Sequence, residues 1–301
     1  MNKAIYKKKL SNKNPTKDIS KDDLKYKIPK SVSKNVKIIN LGGGVVFSKK
    51  NIPIIAGPNG VEGRELIFKV AKFLKSLGVK ILRGHAYKPL TFPYRSKKYL
   101  ETKSDGMNWL DEVKKYTGMK IVTEVTEIKY LDRINDTADI LQIGSRNMQN
   151  LELLAECAKT FKPIILKRHF GASLRDMLGA AEHILVEGNE KLILCERGIV
   201  APHTHKETSR FILDIPAIVA LKDLTKFPII SDPSHASFWA KWVPPLALGS
   251  IAAGCDGLII ETHPNPKKSA VDPLQPLNFK EFKKLHIKTK KLSKLLKRKI
   301  I

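Results

Sequence analysis

Hydrophobic positions along the chain follow a repeated rhythm. Short apolar runs rich in Ile, Val and Leu occur at 52–56, 79–83, 120–125, 140–144, 163–167, 192–195, 228–231 and 257–261, each followed by a helix-length amphipathic stretch. Near-continuous apolar strands imply burial on both faces, and strand–helix alternation through short links implies parallel pairing by right-handed crossovers. Eight such units fit the arithmetic of an α/β fold, the (β/α)8 TIM barrel of ~250 residues. A doubly wound open sheet is the alternative, because a strand count does not establish closure.

Upstream, residues 36–40, the glycines Gly42, Gly43 and Gly44, and residues 45–47 predict a short N-terminal β-hairpin. Downstream, Phe279, Phe282, Leu285, Leu292, Leu295 and Leu296 recur mostly every three or four positions with Lys between them. That spacing predicts a last helix with one apolar face on the barrel and a basic, solvated side. Residues 1–35 are dominated by Lys, Asn, Ser and Asp, a composition that cannot bury enough surface to offset its ordering entropy. The expected organisation is a flexible, basic arm over 1–35 and a single barrel domain over 36–301, with the hairpin and the C-terminal helix included.

Charge changes the picture only at the ends. The chain has 301 residues and a net charge of +26, from 55 Lys+Arg against 29 Asp+Glu. Residues 1–50 hold 14 Lys against 3 acids, and residues 280–301 hold 10 Lys+Arg against 1 acid, so about +20 lies in the tails. Such runs attract nucleic-acid phosphates, but only Tyr6 and Tyr26 precede Phe47, so base stacking is not indicated and nucleic acid is not the expected partner. No run reaches the ~18–20 apolar residues that cross a bilayer, and the N-terminus lacks a signal-peptide apolar region. A cytoplasmic location is expected, with Cys157, Cys195 and Cys255 as small buried residues in a reducing compartment.

In a barrel the C-terminal strand ends converge on one site. Here they carry Asn59, then Arg83 and Lys88, Glu124, Arg146, Lys167 with Arg168, Glu196 with Arg197, Asp232 with His235, and Glu261 with His263. Crowding Arg83, Lys88, Arg146, Lys167 and Arg197 together costs repulsion that an anionic ligand would offset. Arg matches carboxylate or phosphate with a planar fork and Lys supplies a point charge, so a small ligand bearing both groups fits. His235, Glu261 and Asp272 form either a partial divalent-cation shell or a proton-handling group around a water.

These strand ends resemble the single-domain, type Iβ 3-deoxy-arabino-heptulosonate 7-phosphate (DAHP) synthases and their relatives, the 3-deoxy-octulosonate 8-phosphate synthases. The matches are Ile-Ala-Gly-Pro at 55–58, Arg83-Gly84 with Ala86-Tyr87-Lys88-Pro89, Val-Thr-Glu-Val at 122–125, ILQIGSRNMQN at 140–150 and Leu-Lys-Arg at 166–168. Leu-Cys-Glu-Arg-Gly at 194–198, Asp-Pro-Ser-His-Ala at 232–236 and ETHPNP at 261–266 complete them. The resemblance spans about 40–282. It implies a transferase, commonly a homo-oligomer (dimer or tetramer), that condenses phosphoenolpyruvate (PEP) with an aldose or aldose phosphate and releases phosphate. It assigns PEP binding to Arg83, Lys88, Arg146, Lys167 and Arg197, and acceptor binding to Pro89, Thr91 and, for want of the usual arginine, Arg95. Catalysis falls to Lys88, His235, Asn59 and Asp272, and His235, Glu261 and Asp272 match three of the family's four metal ligands.

Three departures stand out. Asn59 replaces the Cys that is the fourth ligand, and a neutral amide oxygen is a poor substitute for thiolate. The metal set therefore reads as vestigial, with a divalent ion (Mn2+, Fe2+ or Zn2+) bound weakly or not at all. Leu90 replaces the arginine that grips the aldose phosphate, and His85 replaces a glycine. The likeliest label is DAHP synthase, with erythrose 4-phosphate as acceptor and a place in aromatic amino-acid (shikimate) biosynthesis. A metal-independent 3-deoxy-octulosonate 8-phosphate synthase-like enzyme, a variant acting on another aldose, and a non-catalytic metabolite-binding paralogue are the alternatives.

Overall fold

The computed structural model describes residues 30–32, 37–89, 101–201 and 211–301. Eight parallel strands close into a barrel: β4 (Ile54–Gly57), β5 (Ile81–Arg83), β6 (Lys120–Val125), β7 (Ile140–Ile143), β8 (Ile164–Lys167), β9 (Leu192–Glu196), β10 (Ile229–Ser231) and β11 (Gly257–Glu261). Closure comes from β11 pairing with β4, in register Leu258 to Ile54 through Glu261 to Gly57. The open-sheet alternative is thereby excluded.

Between the strands lie α1 (Arg64–Ser76), α2 (Lys103–Thr117), α3 (Leu131–Thr137), α4 (Leu151–Lys159), α5 (Leu174–Val186) and α6 (Ile215–Leu224). The short α7 (Pro233–Ser237) and α8 (Val243–Ala252) follow β10, and α9 (Phe279–Leu295) follows β11. Helix starts are signalled locally: Ser173 with Asp176, and Asn278 with Glu281, form capping boxes that satisfy the first free N–H groups of α5 and α9.

Strand periodicity sorts the core into two layers. Ile55, Ile81, Val122, Ile140, Ile165, Ile193, Ile230 and Ile259 point inward and are buried, while their neighbours Ile54, Leu82, Ile121, Leu141, Ile164, Leu192, Ile229 and Leu258 pack outward under the helices. The predicted hairpin is β1 (Ile39–Asn40) antiparallel to β2 (Val46–Phe47), turned by three positive-φ glycines. Its Phe47 and Val45 join the inner layer, so the hairpin plugs the N-terminal end of the barrel.

Two features depart from expectation. Leu295 and Leu296 are 79% and 39% exposed, because only Phe282 and Leu285, flanked by Phe279 and Leu292, face the barrel on α9. The chain then turns back: β12 (Lys299–Ile300) pairs with β3 (Asn51–Ile52), and Arg298 is tied to the Cys255 carbonyl and the Asp256 carboxylate. At the other end, Ser31 lies inside the segment expected to be a free arm, yet it is buried. Its N–H and hydroxyl donate to Glu182, and its carbonyl accepts from Thr225. The three cysteines are free and buried, with their thiol pKa values pushed up by burial. Among the described residues, no helix is long and apolar enough to cross a membrane.

The two faces of α9 make a direct comparison. Leu285→Ala is expected to cost ~2–5 kcal/mol, as for a large-to-small core change, and Leu295→Ser less than about 0.5 kcal/mol. Urea-unfolding midpoints measure both.

Candidate active site

A cavity of about 320 Å³ opens at the C-terminal ends of the strands. Four cations line it: Lys88 after β5, Arg146 after β7, Lys167 at the end of β8 and Arg197 after β9. Pro89, Phe170, Phe211 and Val271 supply apolar lining among them. Asn59, Glu124, Gln142, His235 and Asp272 lie along the same lining.

The barrel supplies its own counter-ions. Lys88 Nζ is 2.6 Å from Glu124 Oε2, Lys167 Nζ is 2.5 Å from Asp232 Oδ2, and Arg168 sits 2.9 Å from both Glu196 and Asp214. Crowded cations therefore do not by themselves require a bound anion; neighbouring strands carry most of the compensation. Arg146 has no carboxylate partner among the described residues, and Arg197 is buried with its guanidinium 4.2 Å from the Phe211 ring.

Arg83 departs from the predicted cradle. It is wholly buried beneath the cavity, pairs with Glu261 Oε2 at 3.3 Å and donates to the Gly57 carbonyl. Gly57 is required here: at φ 146° a Cβ on it would stand 2.0 Å from the Arg83 carbonyl oxygen. Nε and Nη1 of Arg83 find no partner among the described residues. Burial pushes Glu261 up to about 7 against the pull of Arg83, with Asp272 adding to the rise.

His235 is set by the first turn of α7. Asp232 caps that helix by accepting from the His235 N–H through Oδ1, and its Oδ2 lies 2.9 Å from the ring Nδ1. Burial lowers the His235 pKa despite Asp232, with Lys167 and Arg83 also disfavouring imidazolium, so the ring is neutral at pH 7. With the imidazole neutral, the Lys167 ammonium is the partner that holds Asp232 ionised in spite of its burial.

The predicted metal set does not assemble. Among the described residues, no three His, Cys, Asp or Glu side chains are placed to hold a metal ion. Asn59 turns its amide N–H toward Asp272 Oδ2 at 3.2 Å, and Glu261 Oε2 is taken by Arg83 and Gln275 and lies 3.9 Å from His235 Nε2, while Glu261 Oε1 and Asn59 Oδ1 are buried with no partner among the described residues. Asp272 adopts φ 49°, a left-handed conformation that Asp tolerates better than most residues. His235, Asp272 and Asn59 do share the cavity wall, whereas Glu261 lies behind it.

Sequence reasoning missed Phe170 and Phe211. No periodicity marks them, because each sits in a loop; the only signal is that Phe170 lies two residues past the strand-end motif at 166–168, and Phe211 lies beside none. Of the acceptor residues, Pro89 lines the cavity. Thr91 and Arg95, with Leu90 and the loop from Pro202 to Arg210, lie outside the described residues.

Comparison with known proteins gives consistent matches. The model of the DAHP synthetase I family matches residues 34–298. The phospho-2-dehydro-3-deoxyheptonate aldolase of Thermotoga maritima is 42% identical over 259 residues, which is 86% of this chain and 75% of that protein. The 2-dehydro-3-deoxyphosphooctonate aldolase of Bdellovibrio bacteriovorus is 26% identical over 278 residues, 87% of this chain and 94% of that protein. A crystal structure of the Thermotoga maritima DAHP synthase superposes with a TM-score of 0.84 at 39% identity, covering 91% of this chain and 79% of that one. A truncated form of it gives 0.81, covering 89% and 95%.

The buried groups fix the sign of the pH dependence. His85 and His235 have folded pKa values below the ordinary 6.5, so only the unfolded chain takes up their protons as pH falls, and stability drops below about 6.5. Glu261, raised to about 7, works the other way, with stability lost as pH rises through 7. The thermal midpoint is expected to peak near pH 6.5 and to fall toward pH 5. A midpoint that climbs steadily from pH 6.5 to 5 contradicts this.

Proposed function

This chain belongs to the DAHP synthetase I family, and from that premise we propose that it is a DAHP synthase joining PEP to erythrose 4-phosphate, at the entry to aromatic amino-acid biosynthesis. The reaction class is an aldol condensation of PEP with an aldose phosphate, forming a carbon–carbon bond. The observation that carries the reading is one cavity lined by Lys88, Arg146, Lys167 and Arg197 with the His235–Asp232 pair beside them. PEP brings a carboxylate and a phosphate, which those cations suit.

In this reading Arg146, Lys167 and Arg197 hold PEP, while Arg83 adds positive potential from below the floor. PEP C3 attacks the aldehyde carbon, and the new alkoxide takes a proton from the Lys88 ammonium. Water adds at C2, losing its proton to the neutral imidazole of His235, whose Nδ1 is turned to Asp232 and whose Nε2 is the basic nitrogen. Collapse of that adduct breaks the C2–O bond to phosphate and passes the C2 hydroxyl proton to the departing phosphate, leaving the 2-keto group; the proton gained by His235 balances the one given up by Lys88, and exchange with solvent restores both. Fixed charges lining a partly closed cavity stabilise both charged stages without reorganising.

Among the described residues no three His, Cys, Asp or Glu side chains cluster for a divalent ion, and Asn59 offers a neutral amide where a thiolate would bind more strongly, so every step is assigned to the chain's own groups. Asn59, bonded to Asp272, also favours a second reading, a metal-independent enzyme like the 2-dehydro-3-deoxyphosphooctonate aldolases, with a different aldose. Residues 36–301 form the catalytic unit in either case. A cytoplasmic homo-oligomer, dimer or tetramer, is the working state we propose.

Phosphate release from PEP with a panel of aldoses, with and without EDTA, tests this. Turnover with erythrose 4-phosphate that survives EDTA is expected, and Arg197→Ala should raise the PEP KM ~10- to 100-fold, as for loss of a charge-assisted contact. Preference for a pentose phosphate would move the chain to the second reading, and abolition by EDTA would overturn the metal-free chemistry.

A further inference from the structure

His85 stands where the resemblance leads one to expect glycine, and the chain has built around it. The side chain is fully buried at the end of β5. Its Nδ1 accepts the Glu124 backbone N–H at 2.9 Å, so Nδ1 carries no proton and the proton is on Nε2. Its Nε2 faces the Gln142 side-chain amide at 3.2 Å, and that amide in turn donates to Glu124 Oε2 at 3.2 Å, the oxygen that also receives Lys88 Nζ at 2.6 Å; Nε2 itself stands 3.7 Å from that oxygen, beyond hydrogen-bond distance. The other carboxylate oxygen is confined by backbone: a Cβ on Gly144 would come within 2.1 Å of Glu124 Oε1. Burial keeps the imidazole uncharged against the pull of Glu124, and Lys88, Arg83 and Lys167 reinforce this, so it does not compete with Lys88 as a cation.

We propose that His85 is a positioning residue that acts through Glu124: it anchors the Glu124 peptide directly and braces the carboxylate through the Gln142 side chain, and so aims the Lys88 ammonium into the cavity. This rests on the role given to Lys88 in the proposed reaction. A glycine would leave the Glu124 N–H without a partner on that side and would remove the ring behind Gln142, so that the Gln142 amide, the Glu124 carboxylate and the ammonium paired with it could shift together. Lys88 has 12% side-chain exposure and, among the described residues, Glu124 as its one carboxylate partner, so its direction is set by that one oxygen. A displacement of about 1 Å at a catalytic group can cost ~100-fold in rate.

The test uses His85→Ala, His85→Asn and Glu124→Gln in the full chain, with the double variant H85A/E124Q. Asn places an amide oxygen where Nδ1 stands and can accept the Glu124 N–H. H85A is expected to lower kcat ~10- to 100-fold with the PEP KM within about threefold, and H85N to recover most of that loss. H85A/E124Q should be no slower than E124Q alone, because both substitutions break one chain of contacts. Equal losses in H85A and H85N, or additive losses in the double variant, overturn the proposal in favour of simple space filling. Thermal midpoints run beside the kinetics separate misfolding from misalignment. Wild-type turnover reads the proposed reaction by itself. If that reading fails, the 15N shifts of the His85 ring still decide the placement: a protonated Nδ1 refutes it, and an Nε2–H form that loosens in E124Q supports it.

Discussion

Everything at the mouth of this barrel depends on placing cations side by side in a poorly solvated space. A lone buried charge is expensive, and a ring of like charges more so. The chain meets the constraint by pairing across strands: Arg83 with Glu261, Lys88 with Glu124, Lys167 with Asp232, and Arg168 with Glu196. Each cation and its carboxylate come from different strand ends, so the pairs form only as the strands assemble in register, and Arg83–Glu261 forms only across the closing β4–β11 seam. Fold and site are therefore a single cooperative object, and the site's geometry is as rigid as the strand register beneath it.

Those pairs also assign different work to residues that look alike in sequence. Lys167 and Arg168 are adjacent, but one faces the cavity and the other turns outward to Glu196, Asp214 and the carbonyl of Ala172. The carboxylates diverge in the same way. Lys88 and neighbouring donors hold Glu124 below the usual carboxylate range despite burial, while burial lifts Glu261 to about 7. Environment, more than residue type, decides which groups are charged at neutral pH.

The strands and their parallel order were legible because a buried parallel strand leaves an unbroken apolar run, and each of the eight runs overlaps a barrel strand; closure itself came only with the pairing of β11 to β4. Strand-end chemistry was legible because convergence follows from closure. Leu295 was misread because periodicity says which residues share a face but not how far a neighbouring surface extends; α9 outlasts the barrel it packs on. Arg83 was misread for a related reason. A residue at a strand end can turn either into the mouth or under its floor, and only the partner, Glu261 on the strand two positions away, decides. Phe170 and Phe211 left no trace because loop residues obey no period, and Ser31 was hidden because two hydrogen-bonding neighbours far along the chain, Glu182 and Thr225, hold it.

The hairpin at the base has a kinetic consequence. With Phe47 and Val45 stoppering the barrel and eight inward aliphatic side chains filling the lumen, the reaction chamber is blind-ended. Substrates and products must share one doorway. The molecule seated deepest must arrive first and cannot depart until whatever lies above it has left. Traffic through such a cavity is a queue whose order is written by depth alone.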